Sequence, residues 1–301
     1  MNTFFATYAA STSDLLCNYI LANSIRDFAG DLKHIPLRIY ISSDLDAHDE
    51  IKRFAGLNVI FCAYPKPIKF RYAFKSAAAS ACESDVRTGT IIWLDRHMII
   101  PGSCTELLLD PSESFAYLPV HLKLLGASAN EPLNKLWETV NKIAGVDESL
   151  LFPIYTMVDN KKIWPYFKAD HFSFCAEAGI MGKWDALFHE LANHRDMKPF
   201  LANSLNEDAP FIRTYLHQIA LTLAILKNQN IKTLKPLPKF YGYPTSLHKN
   251  IEKPYQVSQM DQLYTAYYNC YESIKPRMPV SKHLYLWLKD TISSYKKEEA
   301  Y

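Results

Sequence analysis

The chain has 301 residues, 49% hydrophobic and 21% charged, which excludes a disordered or fibrous protein and allows one large domain or two small ones. Its 33 basic and 31 acidic side chains leave a net charge of +2, so no electrostatic footprint points to nucleic acid. The nine glycines form neither GxGxxG nor GxxxxGK[ST], which removes the dinucleotide fingerprint and the phosphate-cradling P-loop.

Thr3 to Ala9 reads as a short apolar strand, and Ser11 to Asp14 offers caps for an apolar helix running to Gly30. Pro36–Ser42 and Leu57–Ala63 read as the next two strands. An alanine-rich helix follows from Phe70 to Asp85, and Thr90-Ile-Ile-Trp-Leu94 is apolar enough to be buried on both faces. Strands separated by helices imply parallel pairing, hence an α/β sheet with right-handed crossovers. The second half is less regular. Phe115–Val120 suits a strand and Pro132–Ala144 a helix, while Ala209–Asn228 keeps helical apolar spacing through Ile212, Tyr215, Ile219, Leu223 and Leu226. Gln259–Ile274 and Ser281–Lys296 are further helix candidates, the last with a Leu284, Trp287, Leu288 and Ile292 stripe suited to docking.

Cys17, Cys62, Cys82, Cys104, Cys175 and Cys270 form no CxxC pair, which leaves zinc ribbons and thioredoxin-type redox chemistry without support. The first residues lack the basic start and apolar run of a secretory signal, and no membrane span is expected, so the reading is a cytoplasmic protein. His189 and His194 sit in a zincin-like context at i, i+5. Zincin ligands need i, i+4 to share a helix face, so this pair is rejected as a metal site.

The informative segment is Thr90-Ile-Ile-Trp-Leu-Asp-Arg-His-Met-Ile-Ile100, in which a buried strand ends on a carboxylate. In extended backbone residues i and i+2 point the same way, so Asp95 and His97 project together and Arg96 faces elsewhere. Ligands of open α/β sheets bind just outside the carboxyl ends of the strands, where Asp95 lies. The alternative role for Asp95 is a strand-end cap of the next turn.

A strand of the type Ile-Ile-Trp-Leu-Asp-x-(Asp), preceded by an alanine-rich helix, resembles GT-A-fold glycosyltransferases. Phe174-Cys-Ala-Glu-Ala-Gly-Ile-Met-Gly182 is similar to the family's Asn-Ala-Gly loop, with Glu177 in place of asparagine. His217-Gln218-Ile-Ala-Leu is similar to the Asp-Gln-x-x-Leu helix, and Leu237-Pro-Lys-Phe-Tyr-Gly-Tyr243 to the Leu-Pro-x-x-Tyr-Asn segment. His248-Lys-Asn-Ile-Glu-Lys-Pro-Tyr255 resembles the His-x-x-Gly-x-x-Lys-Pro-Trp ending of family 8 glycosyltransferases, one residue shorter and without glycine. The resemblance spans roughly residues 3–255, and the order of the motifs carries it.

The resemblance implies a GT-A-like α/β fold: a mixed, mostly parallel sheet flanked by helices, residues 1–255 binding the nucleotide sugar and 256–301 forming a helical C-terminal extension packed on it. It implies transfer of a sugar from a nucleotide-diphospho-sugar to an acceptor hydroxyl on a glycan, lipid or small molecule. Asp95, Asp208 and Gln218 are the implied catalytic positions. Thr7, Tyr8, Arg71, Lys75, Arg96, Glu177, Gly179 and Lys253 are the implied donor contacts. Asp95, His97 and His248 are the implied ligands of Mn²⁺ or Mg²⁺. His97 replaces the second carboxylate of Asp-x-Asp and Arg96 adds a cation. Three possibilities therefore stay open: a histidine-rich metal site, a metal-free clamp of Arg96 with Lys253, or nucleotide binding without catalysis. Asp208 has capping of the Ala209 helix as its other role, and Arg71 and Lys75 have that of surface cations. The rival readings are a non-catalytic nucleotide- or sugar-binding protein of the same fold and a nucleotidyltransferase. The latter's glycine-rich basic loop is absent from Ala9-Ala-Ser-Thr-Ser13.

Overall fold

The computed structural model describes residues 2–65, 67–70, 72–202, 208–268 and 278–297. The alternating N-terminal half becomes β1 (Thr3–Ala9), α1 (Thr12–Phe28), β2 (Leu37–Ser42), α2 (His48–Lys52), β3 (Val59–Tyr64), α3 (Ala73–Val86) and β4 (Thr90–Leu94). β2 pairs parallel with both β1 and β3, and β1 pairs parallel with β4. All five residues of β4 are buried, as its unbroken apolar run requires. Along β1 the pleat sends Ala6 and Tyr8 into the core beneath α3, and Phe5 and Ala9 into the core on the other side with α1 residues. Small side chains at Ala77, Ala78 and Ala79, all buried in that first core, let α3 pack closely against it.

The second half supplies β5 (Met98–Ile99), β6 (Phe115–Tyr117), α4 (Lys135–Ala144), β7 (Ile154–Tyr155), β8 (Lys162–Ile163), β9 (His171–Cys175), α5 (Ile180–Asn193), α6 (Lys198–Leu201), α7 (Ala209–Asn228), β10 (Leu234–Pro236), β11 (Ala266–Tyr267) and α8 (Lys282–Lys297). The main sheet has the order β10-β6-β9-β4-β1-β2-β3. β9 runs antiparallel to its neighbours β4 and β6, and β10 is parallel to β6, giving the mixed, mostly parallel sheet expected. β5 and β11 form a separate antiparallel pair, as do β7 and β8.

Three elements differ from the pattern reading. The loop expected around residues 174–182 shortens to a 3₁₀ turn, Ala176–Ala178, between the end of β9 and the start of α5. The strand at Phe115 stops at Tyr117, two residues before Pro119, which has no N–H to give a ladder. The helix expected over Gln259–Ile274 is a short 3₁₀ turn, Met260–Gln262, followed by β11, while residues 269–274 lie outside the described residues. Its tyrosine and leucine spacing mimics a helix, but Ala266 and Tyr267 pair with Ile99 and Met98 instead.

α8 docks on α1 with its predicted stripe. Leu284, Leu288 and Ile292 are buried, Trp287 Nε1 donates to Asp27 Oδ2 at 2.7 Å, and the Trp287 ring lies 4.9 Å from that of Phe28. His189 projects from α5 toward Asp185, whereas His194 lies beyond that helix and accepts the Asp196 N–H, so the rejected zincin pair shares no helix face. Among the described residues, no helix is long and apolar enough to cross a membrane.

Candidate functional site

β4 ends at Leu94, and the next three residues turn rather than extend. Asp95 Oδ1 accepts the His97 N–H at 3.0 Å and the Asp95 carbonyl accepts the Met98 N–H at 3.0 Å, so the aspartate caps its own turn. This corrects the expected i, i+2 projection. The turn swings Arg96 inward, with its guanidinium 5.0 Å from the Tyr8 ring centroid and 5.7 Å from that of Phe74. Arg96 also donates to the Tyr8 hydroxyl and forms an ion pair with Asp14, Nε to Oδ1, at 2.6 Å. His97 instead faces Cys17, 3.6 Å from Nδ1 to Sγ.

Two other elements complete the cluster. From the first turn of α3, Lys75 Nζ reaches Asp95 Oδ2 at 2.6 Å, and the Tyr8 hydroxyl donates to the same oxygen at 2.9 Å. From the start of α1, Asp14 Oδ2 accepts the N–H groups of Ala10 and Ser11, leaving Oδ1 for Arg96. One carboxylate thus caps a helix and anchors a site cation. Tyr72 adopts φ 64°, a left-handed conformation costly for a bulky side chain, with its ring 5.4 Å from Lys75 Nζ and 5.0 Å from the His217 ring. Burial alone would raise the Asp95 pKa, but Lys75, then Arg96 and His97, hold it well below the usual carboxylate range. Burial and the Asp95 charge push the Tyr8 phenol up. Burial, with Lys75 next to it, keeps His217 neutral far below its ordinary pKa.

Two neighbouring cavities open here. The first, about 230 Å³, is lined by Tyr8, Tyr72, Lys75, Asp95, Arg96, His97 and His217; the second, about 290 Å³, by His121, Tyr166, Lys168, Thr245 and Leu247. Asp170, Tyr215, Gln218 and Tyr267 line both. Lys168 is buried, with Nζ 2.6 Å from His121 Nε2, 3.5 Å from Asp170 Oδ1 and 4.4 Å from the Tyr267 ring centroid. Burial lowers Lys168 to a pKa of about 8 against the opposing pull of Asp170, and burial raises Asp170 itself. His121 is driven down by burial and by the Lys168 charge. Gln218 donates through Nε2 to the Tyr166 hydroxyl at 3.3 Å.

Of the candidates, Tyr8, Lys75, Asp95, Arg96, His97 and Gln218 line the first cavity, Arg96 against its expected direction. The remaining candidates lie elsewhere. Thr7 points to the opposite face from Tyr8 and bonds Asn18 of α1. Because β9 is antiparallel, Cys175 pairs with Thr90 at the far end of β4, so Glu177 and Gly179 follow at the end remote from Asp95. There Glu177 accepts the Gly89 N–H at 3.1 Å. Asp208 is exposed at the cap position of α7, and Lys253 is exposed in a 3₁₀ turn; neither lines either cavity. Arg71 lies outside the described residues.

The metal set does not assemble. Among the described residues no three His, Cys, Asp or Glu side chains group to hold an ion. Both Asp95 oxygens already bind donors of this chain, His97 turns to Cys17, and His248 Nδ1 lies 2.8 Å from the Tyr243 hydroxyl. These residues do not fit a divalent cation.

Sequence reasoning missed Asp14, Lys168, Asp170, Tyr215 and Tyr267. Asp14 showed only as a helix cap. The Lys168-x-Asp170 pair ahead of the aromatic run His171-Phe-Ser-Phe174 was the one local signal of a second charged strand end.

No protein-family profile and no curated protein matches the sequence. Solved structures do. The galactosyltransferase LgtC, in complex with donor and acceptor sugar analogues, superposes with a TM-score of 0.50 at 10% identity over 98% of this chain and 96% of that one. The chain has the GT-A fold. An active-site mutant of LgtC with glutamate in place of a glutamine gives 0.51 at 11% identity, over 96% of each chain. The apo bifunctional glycosyltransferase WbbM gives 0.51 at 12% identity over 89% of this chain, which spans 45% of the WbbM chain. In this GT-A fold the two cavities lie outside the carboxyl end of β4, where open α/β sheets receive ligands.

Proposed function

We propose that the protein transfers a sugar from a nucleotide-diphospho-sugar donor to an acceptor hydroxyl. The observation that carries this reading is the pair of neighbouring cavities at the β4 end of a GT-A sheet, one with Lys75 and Arg96 on its wall and one amphipathic, with Gln218 and Asp170 in the wall of both. LgtC, of similar fold, is described with donor and acceptor analogues together, so a two-chamber site suits two sugar substrates. The first chamber takes the diphosphate against Lys75 and Arg96. Charge that develops on the leaving diphosphate is stabilised there, by groups held in place before reaction. Gln218, on α7 between the chambers, is positioned to hydrogen-bond the sugar being transferred; in LgtC an active-site glutamine has been exchanged for glutamate. The second chamber, with Leu247, Val120 and Thr245 on its walls, receives the acceptor.

The test is turnover of UDP-, GDP-, CDP- and dTDP-sugars, read as nucleotide release with and without a panel of glycan and small-molecule acceptors. Release from one nucleotide sugar that is lost in Gln218→Ala and Asp95→Asn supports the reading. Tight nucleotide-sugar binding with no release would move it to a non-catalytic binding protein, and no binding at all would refute it.

A further inference from the structure

Asp95 is the carboxylate where the GT-A resemblance expects a divalent cation, yet three of its roughly four acceptor positions, both on Oδ2 among them, are taken by donors of this chain. Oδ2 takes Lys75 Nζ at 2.6 Å and the Tyr8 hydroxyl at 2.9 Å, and Oδ1 takes the His97 N–H at 3.0 Å. The Lys75 and Asp95 side chains are only 8% and 4% exposed. A metal ion could reach Oδ2 only by expelling that ammonium, which would then stand unpaired and buried in the same chamber.

The charge arithmetic supplies what a metal would. Lys75 and Arg96 carry two positive charges against the two negative charges of Asp95 and Asp14. One divalent ion on two carboxylates has the same sum. Both cations line the 230 Å³ chamber, and neither spends all its donors on its carboxylate. An ammonium has three N–H donors and a guanidinium five, so each retains donors for phosphate oxygens.

Resting on the nucleotide-sugar reading above, we propose that this site binds the diphosphate of its donor without a divalent metal, Lys75 and Arg96 taking the metal's place. Lys75 is then a built-in cation that stays paired with Asp95 and offers its remaining N–H donors to the diphosphate.

The experiment is calorimetric titration of the whole protein with UDP, GDP, CDP and dTDP, first in excess EDTA and then in excess Mn²⁺. One nucleotide binding with equal affinity in both conditions is the expected result. Binding that appears only with Mn²⁺, or is tenfold tighter with it, overturns the metal-free site while leaving the donor reading intact. Binding of none of the four in either condition overturns the donor reading itself, and this inference with it. Lys75→Met combined with Asp95→Asn keeps the buried pair neutral and close in shape, so it avoids an orphaned charge. Its affinity in EDTA should fall about tenfold or more, the scale of a lost charge-assisted hydrogen bond, and Mn²⁺ should not restore it. Unchanged affinity in the double variant, confirmed folded by circular dichroism, refutes the role of Lys75. Should that variant fail to fold, Arg96→Gln provides the same comparison on the second cation.

Discussion

The Asp95 N–H donates to the Asp170 carbonyl oxygen across 2.7 Å, fastening the end of β4 to the chain entering β9. This bond sets the two cavities side by side. The antiparallel register that continues from it, Leu94 opposite His171, carries Lys168 and Asp170 to the end of the sheet where Lys75 and Asp95 lie. The site is therefore built around two carboxylates at neighbouring strand ends, Asp95 paired with Lys75 of α3 and Asp170 with Lys168, of which the sequence pointed to Asp95 alone.

Lys168 makes stability depend on alkaline pH. Its folded pKa is depressed by burial from 10.5 to about 8, so the folded state gives up the proton more readily than the unfolded chain. Between those values the unfolded state binds more protons, and stability rises with pH through the window. The rise attributable to this group is about 3 kcal/mol. Urea denaturation of the native protein and of Lys168→Met from pH 7 to 10.5 should show the rise only in the former. Parallel pH curves for the two would mean the amine is not held as the structure shows.

The Lys75–Asp95 pair acts at the other end of the scale. The folded Asp95 pKa is depressed, so its contribution is present above the unfolded carboxylate value near 4 and is lost as pH falls toward the folded one. Lys75→Met alone leaves a buried carboxylate unpaired and should cost about 3–5 kcal/mol at pH 7. The Lys75→Met/Asp95→Asn double variant should recover most of that loss and show a flatter acid limb. A single variant as stable as the native protein at pH 7 would show that solvent already reaches Asp95.

Glu177 and Gln218 separate the sequence resemblance from the geometry. Both belong to segments that resemble donor-site motifs, but only Gln218 lines the cavities, while Glu177 holds the Gly89 N–H at the opposite end of β4. Under the proposed function, Gln218→Ala should lower kcat by one to two orders of magnitude, the scale of a lost transition-state hydrogen bond. Glu177→Ala should leave kcat and KM unchanged. Equal losses in the two variants would place the donor sugar somewhere other than the β4 end.

What the sequence disclosed divides along physical lines. β1, β2, β3 and β4 are apolar runs bounded by caps and turns, and the alanine face of α3 shows where it must pack, so the parallel half of the sheet and the position of Asp95 were readable. β9 was not, because His171-Phe-Ser-Phe-Cys175 alternates polar and aromatic residues yet is buried at its first four positions by the sheet neighbours on either side. Missing that strand hid its antiparallel direction. That direction puts Glu177 and Gly179 at the end of β4 remote from Asp95, and brings Lys168 and Asp170 to the end where Asp95 lies. Arg96 points inward rather than away for a local reason: Asp95 caps a tight turn where the alternation of an extended strand does not hold. No spacing rule reports that Lys75 closes on Asp95, since the contact depends on how α3 lies over β1.

The docking of α8 gives a prediction that keeps stability apart from function. Leu288 is fully buried, and the helix is further tied to α1 through Trp287 on Asp27 and Phe28 and by the Tyr19–Tyr295 ring contact at 5.2 Å. Leu288→Ala removes a packed side chain and leaves a cavity, which should cost about 2–5 kcal/mol in urea denaturation. Asp14, the α1 residue that pairs with Arg96, stands 13 residues before Asp27 on the same helix, about 20 Å away along its axis. Ligand affinity measured below the unfolding transition should therefore match the native protein, since Asp14 is held locally by the Ala10 and Ser11 N–H groups and by Arg96. A variant that keeps its stability would show that α8 contributes no core. A variant that loses affinity while folded would show instead that α1 transmits the packing of its C-terminal end to the Arg96 site.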